Sequence, residues 1–199
     1  MRMVDTRAIA DATEIQMKEE ESQNEVQLSP FHLAVPVYDL EEARAFYGSV
    51  LQCSEGRSSP GSWVDFNFFG HQLVLHRVNP PPDSDGGKKP RVHLNPVDGD
   101  AVPVPHFGVA LDVSSFHALV DRIAANNAIY TSSLESDTDT DTDERRFLVK
   151  YVIKPHLRFK GKPGEQYTMF FYDPSGNALE FKAMYGVFTP CFPAQGAES

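Results

Sequence analysis

Two histidines and one glutamate occupy matching positions in the sequence of 199 residues. His32 and His106 each begin an apolar stretch just after a proline, and Glu180 follows the glycine of the DPSG turn by four residues. Alternate residues of a strand share one face, so these polar side chains lie opposite the apolar ones. Two imidazoles and one carboxylate with open coordination positions suit Fe(II), and also Mn, Ni or Zn. The pattern therefore predicts a site for one divalent metal, provided that the fold brings the three side chains together.

A repeated order of elements would bring them together. A strand, a helix and further strands follow one another twice. In the first copy the strand 31–37 precedes the helix 39–51 and the strands 63–69 and 71–77. In the second copy the strand 106–113 precedes the helix 114–127 and the strands LVKYVIKPHLRF, YTMFFYD and NALEFKA. The turn glycines Gly70 and Gly176 align the two copies. We predict an α+β fold in which two βαβββ modules form one cupped mixed sheet around the metal site, with the helices on its outer face.

Shifts in composition divide the chain into an arm, a domain and a tail. Residues 1–28 are polar and aperiodic and are predicted to form a flexible arm, and residues 185–199 an irregular tail. The single domain between them, 29–184, is predicted to consist of module one at about 30–78, a linker rich in proline and glycine at 79–104, and module two at about 105–184 with an acidic insertion at 132–146.

Composition excludes several classes of partner. A net charge of −10 and a pI near 5.1 argue against nucleic acid and anionic membranes. No apolar run approaches the roughly 18 residues of a membrane span, and the N-terminal residues lack an apolar signal core. Cys53 and Cys191 are too few for a disulfide framework and lack the spacing of metal ligands. We expect a chain in a reducing, cytoplasmic compartment whose partner is a small-molecule substrate.

Three segments resemble the vicinal oxygen chelate superfamily, which includes glyoxalase I, extradiol dioxygenases and the fosfomycin- and bleomycin-resistance proteins. They are HLAVPVYDLEEARAFYGSVLQC (32–53), HFGVALDV (106–113) and MFFYDPSGNALEF (169–181). Residues 68–76 and 155–182 also look like a group of small proteins described as predicted dioxygenases of the extradiol type. The resemblance implies paired βαβββ modules around one divalent metal, with Fe(II) favoured, and a homodimer. Its implied ligands are His32, His106 and Glu180.

The activity that the resemblance implies is that of a metal-dependent dioxygenase acting on a catechol-like or vicinal-oxygen substrate. Glyoxalase I has a fourth ligand, an acid, where the repeat places Val74, so a glyoxalase-like isomerase or lyase requires Gln72 or His76 as a substitute. The signature of the ring-cleaving enzymes contains a tyrosine and an upstream histidine. This chain has Phe170 at the position of the tyrosine and Gly161 near that of the histidine, so the signature does not by itself indicate catechol cleavage. A non-catalytic binder of small molecules is the third alternative.

The alternation of strand residues predicts which further side chains face the cavity. His76 shares a face with Val74 and is predicted to serve as the acid or base, as histidine can near neutral pH, unless it is simply an exposed residue at a strand end. Arg158 is suited to bidentate binding of a substrate carboxylate, although a strand facing solvent explains it equally well. Substrate contacts are predicted for four residues: Asp65, Asn67, Gln72 and Arg158.

Overall fold

The computed structural model of the chain describes residues 29–80, 93–135 and 148–184. The predicted arm at 1–28 and tail at 185–199 lie outside the described residues, as does most of the acidic insertion. Among the described residues, none of the helices combines the length and the apolar character needed to cross a bilayer.

The first module begins with β1 (His32–Val37) and α1 (Leu40–Arg44), which continues as a π-helical segment (Ala45–Val50). Asp39 caps α1, because its carboxylate accepts from the backbone N–H groups of Glu41 and Glu42 at 2.8 and 2.9 Å. Three strands follow: β2 (Ser54–Ser59), β3 (Trp63–Phe68) and β4 (His71–Arg77). The strand order in the sheet is β1-β4-β3-β2, with β1 parallel to β4.

The second module repeats this arrangement. It contains β7 (Phe107–Leu111), α2 (Val113–Glu135), β8 (Tyr151–Arg158), β9 (Gln166–Tyr172) and β10 (Ala178–Met184). The order β7-β10-β9-β8, with β7 parallel to β10, matches that of the first module. The predicted α+β fold with two βαβββ modules is therefore confirmed. One boundary was wrong, because α2 runs past the expected end at residue 127 and takes up the first residues of the acidic insertion.

Two further expectations need correction. The predicted single cupped sheet is instead two four-stranded sheets without a hydrogen-bonded ladder between them in the described residues. The predicted linker at 79–104 contains an antiparallel hairpin formed by β5 (His93–Val97) and β6 (Asp100–Val104). Its tight turn is Asp98-Gly99, where both residues adopt positive φ. An Asp-Gly pair between short strands is a strong hairpin signal, which the surrounding prolines obscured.

The helices and both sheets bury their apolar faces in one hydrophobic core. Phe171 and Phe181 stack in the second module with ring centroids 5.6 Å apart, and Phe68 of the first module lies 6.0 Å from Phe181. Each fully buried aromatic side chain of this kind contributes on the order of 2 kcal/mol to folding. Because alternate strand residues point away from this core, Glu180 and Lys182 lie on the opposite face of β10.

A close backbone approach fixes β7 against β10 beside Glu180. Gly108 faces Glu180 in the strand register, and a Cβ at position 108 would lie 2.7 Å from the carbonyl carbon of Glu180. We expect Gly108→Ala to lower the free energy of unfolding by about 1–3 kcal/mol, since the strands must separate. Gly48→Ala is the matched control, because its Cβ would meet only Phe66 at 3.9 Å. Equal stability of the two variants in urea unfolding would contradict this prediction.

Candidate metal centre

His106 and Glu180 form a close pair on the face of the second sheet that points away from the core. His106 directly precedes β7, and Glu180 lies in the adjacent parallel strand β10. The distance from His106 Nε2 to Glu180 Oε2 is 3.1 Å, and the Glu180 residue is only 6% exposed. Two of the three side chains that the sequence predicts as metal ligands are therefore neighbours in the structure.

Glu180 is held by two more groups besides His106. Thr168 Oγ1 donates to Glu180 Oε1 at 3.0 Å, and Lys182 Nζ lies 3.2 Å from Oε2. Burial acts to raise the pKa of Glu180, but the hydrogen bond from His106 and the positive charge of Lys182 outweigh it and lower the pKa to about 2. The carboxylate is therefore ionised at neutral pH, as a metal ligand must be.

His106 has an acceptor at each ring nitrogen. Its Nδ1 donates to the backbone oxygen of Pro103 at 2.6 Å, while Nε2 faces Glu180. The hydrogen bond to Glu180 raises the pKa of His106 despite partial burial. A divalent metal between the two side chains would take the place of the Nε2 proton, and the Pro103 carbonyl would keep the ring oriented. The edge-on ring of Phe170, 5.1 Å away, forms an apolar wall beside the pair.

His32 lies apart from this pair. It is exposed at the start of β1, and its Nδ1 bonds to Gln72 Oε1 at 2.8 Å. Within residues 29–80, 93–135 and 148–184, no three histidine, cysteine, aspartate or glutamate side chains are grouped closely enough to hold a metal. The structure thus brings together two of the three predicted ligands and places the third at the equivalent position of the other module.

The strand register agrees with the alignment of the two modules that the sequence suggested. Ala34 and Gly108 each follow a predicted histidine ligand by two residues, and their register partners are Val74 and Glu180. Val74 is 8% exposed and has no ligand atom. The first module therefore offers no acid at the position that corresponds to Glu180.

Asp65 and Gln72 bond to each other, and substrate contact by either residue stays a prediction. Gln72 Nε2 donates to Asp65 Oδ2 at 3.0 Å, and the Arg57 guanidinium donates to the same oxygen at 3.2 Å. Burial tends to raise the pKa of Asp65, but the hydrogen bonds from Gln72 and Arg57 lower it overall. The sequence did not indicate Arg57, because SEGRSS lacks the alternation that would have marked β2 as a strand.

Asn67 and His76 occupy different settings on the same sheet. Asn67 Oδ1 accepts from the backbone N–H of Gly70 at 2.7 Å and so closes the turn between β3 and β4. His76 is exposed on β4, opposite Trp63 in the register. Substrate contact by Asn67 and acid or base catalysis by His76 stay predictions.

Arg158 anchors the hairpin of β5 and β6 to the second sheet. Its Nη2 lies 2.6 Å from Asp100 Oδ2, its guanidinium stands over the ring of Phe170 at 5.8 Å, and the residue is 4% exposed. His156 Nε2 reaches the same Asp100 oxygen at 3.1 Å. A cavity of about 530 Å³ opens beside this cluster, and Asp100, His156 and Tyr172 are among its lining residues. Substrate binding by Arg158 stays a prediction.

Comparisons with known proteins agree with this architecture. The profile of the Glyoxalase/Bleomycin resistance protein/Dioxygenase superfamily matches residues 29–181. The structure of a glyoxalase/bleomycin resistance protein/dioxygenase from Alicyclobacillus acidocaldarius is similar with a TM-score of 0.52 and 29% identity, over 79% of this chain and 92% of that chain. A lactoylglutathione lyase from Agrobacterium tumefaciens gives a TM-score of 0.45 and 19% identity, over 82% of this chain and 100% of that chain. The comparison with curated proteins gives no match. The profile match includes His32, His106 and Glu180.

Proposed function

Because the chain belongs to the Glyoxalase/Bleomycin resistance protein/Dioxygenase superfamily, we propose that it is a metal-dependent enzyme of the dioxygenase type acting on a small substrate with neighbouring oxygen atoms. Members of this superfamily are mostly enzymes, and they include glyoxalases and dioxygenases. The observation that carries the proposal is the pair of His106 and Glu180. A buried, ionised carboxylate faces an imidazole nitrogen at 3.1 Å, and a backbone carbonyl orients the other nitrogen of that ring.

The donor set suits a divalent cation. His106 Nε2 and Glu180 Oε2 would hold it, with His32 as the third ligand and Fe(II) as the favoured ion. The chemistry that such a metal supplies is polarisation of the substrate oxygens and, for Fe(II), a place for O₂. Val74 at the position corresponding to Glu180 favours a set of three ligands over the set of four that a glyoxalase-like isomerase needs.

We assign His32 to the site through a second copy of the chain. Within the part of the chain that the structure describes, β1 is the edge strand of its sheet and His32 is exposed on it, so a second molecule can approach this edge. One chain does not group His32 with the pair among its described residues. A homodimer in which the edge of one subunit faces the second module of the other would complete two equivalent sites.

The residues beside the pair of His106 and Glu180 leave the acid or base to be supplied from elsewhere. The Phe170 ring, 5.1 Å from the His106 ring, offers no hydroxyl group, so an acid or base must come from another residue. His76 is our choice for that role, since it is exposed on β4 and histidine is the side chain that most often serves as a general acid or base. The positive charge of Lys182, 3.2 Å from Glu180 Oε2, favours the ionised form of that carboxylate.

Metal analysis of protein purified without oxygen tests the proposal. We expect one Fe(II) per chain and O₂ uptake with catechols or other substrates carrying neighbouring oxygens, and we expect His106→Ala to lose both. His117→Ala is the matched control, because His117 is an exposed residue of α2 and packs against Phe116 and Tyr167. Turnover of methylglyoxal with a thiol on bound Zn or Ni would favour the isomerase instead. A chain that binds no metal would overturn both enzymatic functions.

A mixed dimer tests where the third ligand comes from. When His32→Ala and Glu180→Gln chains are co-expressed with different tags, the mixed dimer has one site with every ligand intact, provided that His32 acts across the interface. We expect this dimer to bind half as much metal as the wild-type dimer, and each variant alone to bind none. A mixed dimer that binds none would show that each chain uses its own His32.

A further inference from the structure

We propose that Asp65 and Gln72 are positioning residues that keep a hydrogen on Nδ1 of His32, so that the unprotonated Nε2 is presented as the ligand atom. The first part of this inference concerns hydrogen bonds within one chain. Its second part, that the presented atom binds metal, rests on the proposed function. Asp65 and Gln72, which the sequence suggested as substrate contacts, would thus fix the tautomer of His32.

Asp65 determines which atoms donate and which accept in the hydrogen bonds that link it to Gln72 and His32. An ionised carboxylate has acceptor atoms only. Asp65 Oδ1 accepts from the backbone N–H of Arg57, and Oδ2 accepts from the Arg57 guanidinium and from Gln72. The NH₂ group of Gln72 must therefore be the end that faces Asp65, which fixes the orientation of the whole amide.

The fixed amide then decides the state of His32. With its NH₂ group at Asp65, Gln72 presents Oε1 to His32 Nδ1 at 2.8 Å. Because an amide oxygen only accepts, His32 must donate from Nδ1. A neutral imidazole carries one N–H group, so its Nε2 is left with a free lone pair, which is the form that binds metals.

In both modules Nδ1 of the predicted histidine ligand has an acceptor, but the acceptor is a different group in each. At His106 the acceptor for Nδ1 is the backbone oxygen of Pro103, and at His32 it is the side chain of Gln72. Partners at the far nitrogen of a ligating histidine orient the ring and fix its tautomer. Since a backbone carbonyl survives any side-chain substitution, only the arrangement at His32 can be reversed by mutation.

Asp65→Asn is the variant that should reverse it. The backbone N–H of Arg57 cannot turn away, so we expect the asparagine oxygen to stay there and its NH₂ group to face Gln72. The guanidinium can leave, since the Arg57 side chain is 78% exposed. Gln72 must then turn its oxygen towards Asn and its NH₂ group towards His32. Nδ1 becomes an acceptor, and the hydrogen moves to Nε2.

The double variant Asp65→Asn, Gln72→Glu should restore the original state. A carboxylate at position 72 accepts from the asparagine NH₂ group with one oxygen and from His32 Nδ1 with the other. The exchange of carboxylate and amide between the two positions preserves the number of charges. Rescue by this exchange distinguishes an effect of hydrogen-bond direction from a loss of structure, because a variant that is merely destabilised would not recover.

The measurement is the tautomer of His32 in the full, metal-free chain labelled with ¹⁵N at histidine, with the signal assigned by its loss in His32→Gln. We expect the hydrogen on Nδ1 in the wild type, on Nε2 in Asp65→Asn, and on Nδ1 again in the double variant. A hydrogen on Nε2 in the wild type would overturn the inference. So would a folded Asp65→Asn protein whose His32 keeps the wild-type tautomer.

Fe(II) affinity under argon, measured by competition with a chromogenic chelator, separates this inference from the proposed function. We expect binding to weaken by about 10- to 100-fold in Asp65→Asn and to recover in the double variant. If the tautomers change as expected while the affinity for Fe(II) stays constant, His32 is not a metal ligand, and the proposed set of three ligands is wrong. If affinity is strong and the tautomers do not change, the inference fails and the proposed metal site stands.

Discussion

Glutamine in place of Glu180 is expected to abolish the binding of a divalent metal while the protein stays folded. The neutral amide keeps a similar shape and retains an oxygen for the hydroxyl of Thr168, which donates at 3.0 Å. It lacks the negative charge that stabilises a bound cation beside His106. We expect affinity to fall by more than about 100-fold, which exceeds the loss usually caused by removing a partner of a ligand.

Lys182→Met is the matched control for Glu180→Gln, and its effect should have the opposite sign. Lys182 Nζ lies 3.2 Å from the Glu180 oxygen that faces His106, so a metal must compete with the ammonium group for that atom. Its removal also eliminates the repulsion between two cations. Because the Lys182 side chain is 34% exposed and solvent screens its charge, we expect a gain of only about tenfold in affinity.

Titration calorimetry with Fe(II) under argon checks both variants, with unfolding in urea as the control for structure. If the Glu180→Gln variant binds one metal ion with wild-type affinity, Glu180 is not a metal ligand. Weaker binding in Lys182→Met would show that the lysine supports the metal rather than competing with it. The two results together decide whether this buried carboxylate is a ligand or one member of a structural ion pair.

The part of this site that the sequence could predict depends on periodicity and on the repeat. Strand parity put Glu180 on the face away from the apolar side chains, and alignment of the turn glycines matched it with Val74 in the other module. Both results need only a period of two and a count from a turn, which a sequence carries locally. The agreement of the register pairs Ala34–Val74 and Gly108–Glu180 with that count has the same origin.

Contacts between distant segments could not be predicted in this way. Arg158 bonds to Asp100, 58 residues earlier, in a hairpin that the sequence analysis interpreted as a linker, so this ion pair was not predicted. Arg57 reaches Asp65 from an edge strand whose residues are nearly all exposed and polar. Which donor a carboxylate selects depends on how the strands assemble, and no local pattern records that choice.

The turn DPSGN joins the second module to the first. Asp173 is 4% exposed and accepts four hydrogen bonds. Two come from the backbone N–H groups of Ser175 and Asn177, one from the Asn177 amide and one from the hydroxyl of Tyr47 in the first module at 3.0 Å. Asn177 also donates to the backbone oxygen of Pro36 at 2.9 Å. The carboxylate of Asp173 is therefore shared between the turn and the helix of the other module.

Replacement of Asp173 by alanine is expected to lower the free energy of unfolding by about 3–5 kcal/mol, because it breaks a buried network and leaves several donors without an acceptor. Asp173→Asn should cost less, since its oxygen can still accept from the two backbone N–H groups. Tyr47→Phe removes only one hydrogen bond and should cost about 1 kcal/mol. Urea unfolding of the three variants checks this order, and a mild effect of Asp173→Ala would contradict the role of the turn.

The pH dependence of stability tests the same carboxylate independently. Burial raises the pKa of Asp173 above its ordinary value of 3.8, even though hydrogen bonds from Asn177, Tyr47 and Ser175 act to lower it. A pKa that is higher in the folded state means that the group's contribution to stability is present below the unfolded value and is lost as pH rises through the folded value. Asp173→Asn has no proton to lose. The stability of the wild type relative to this variant should therefore decrease as pH rises from about 3.8 towards neutrality. A difference that increases over this range would mean that the hydrogen bonds outweigh burial and that the turn holds a stabilised anion.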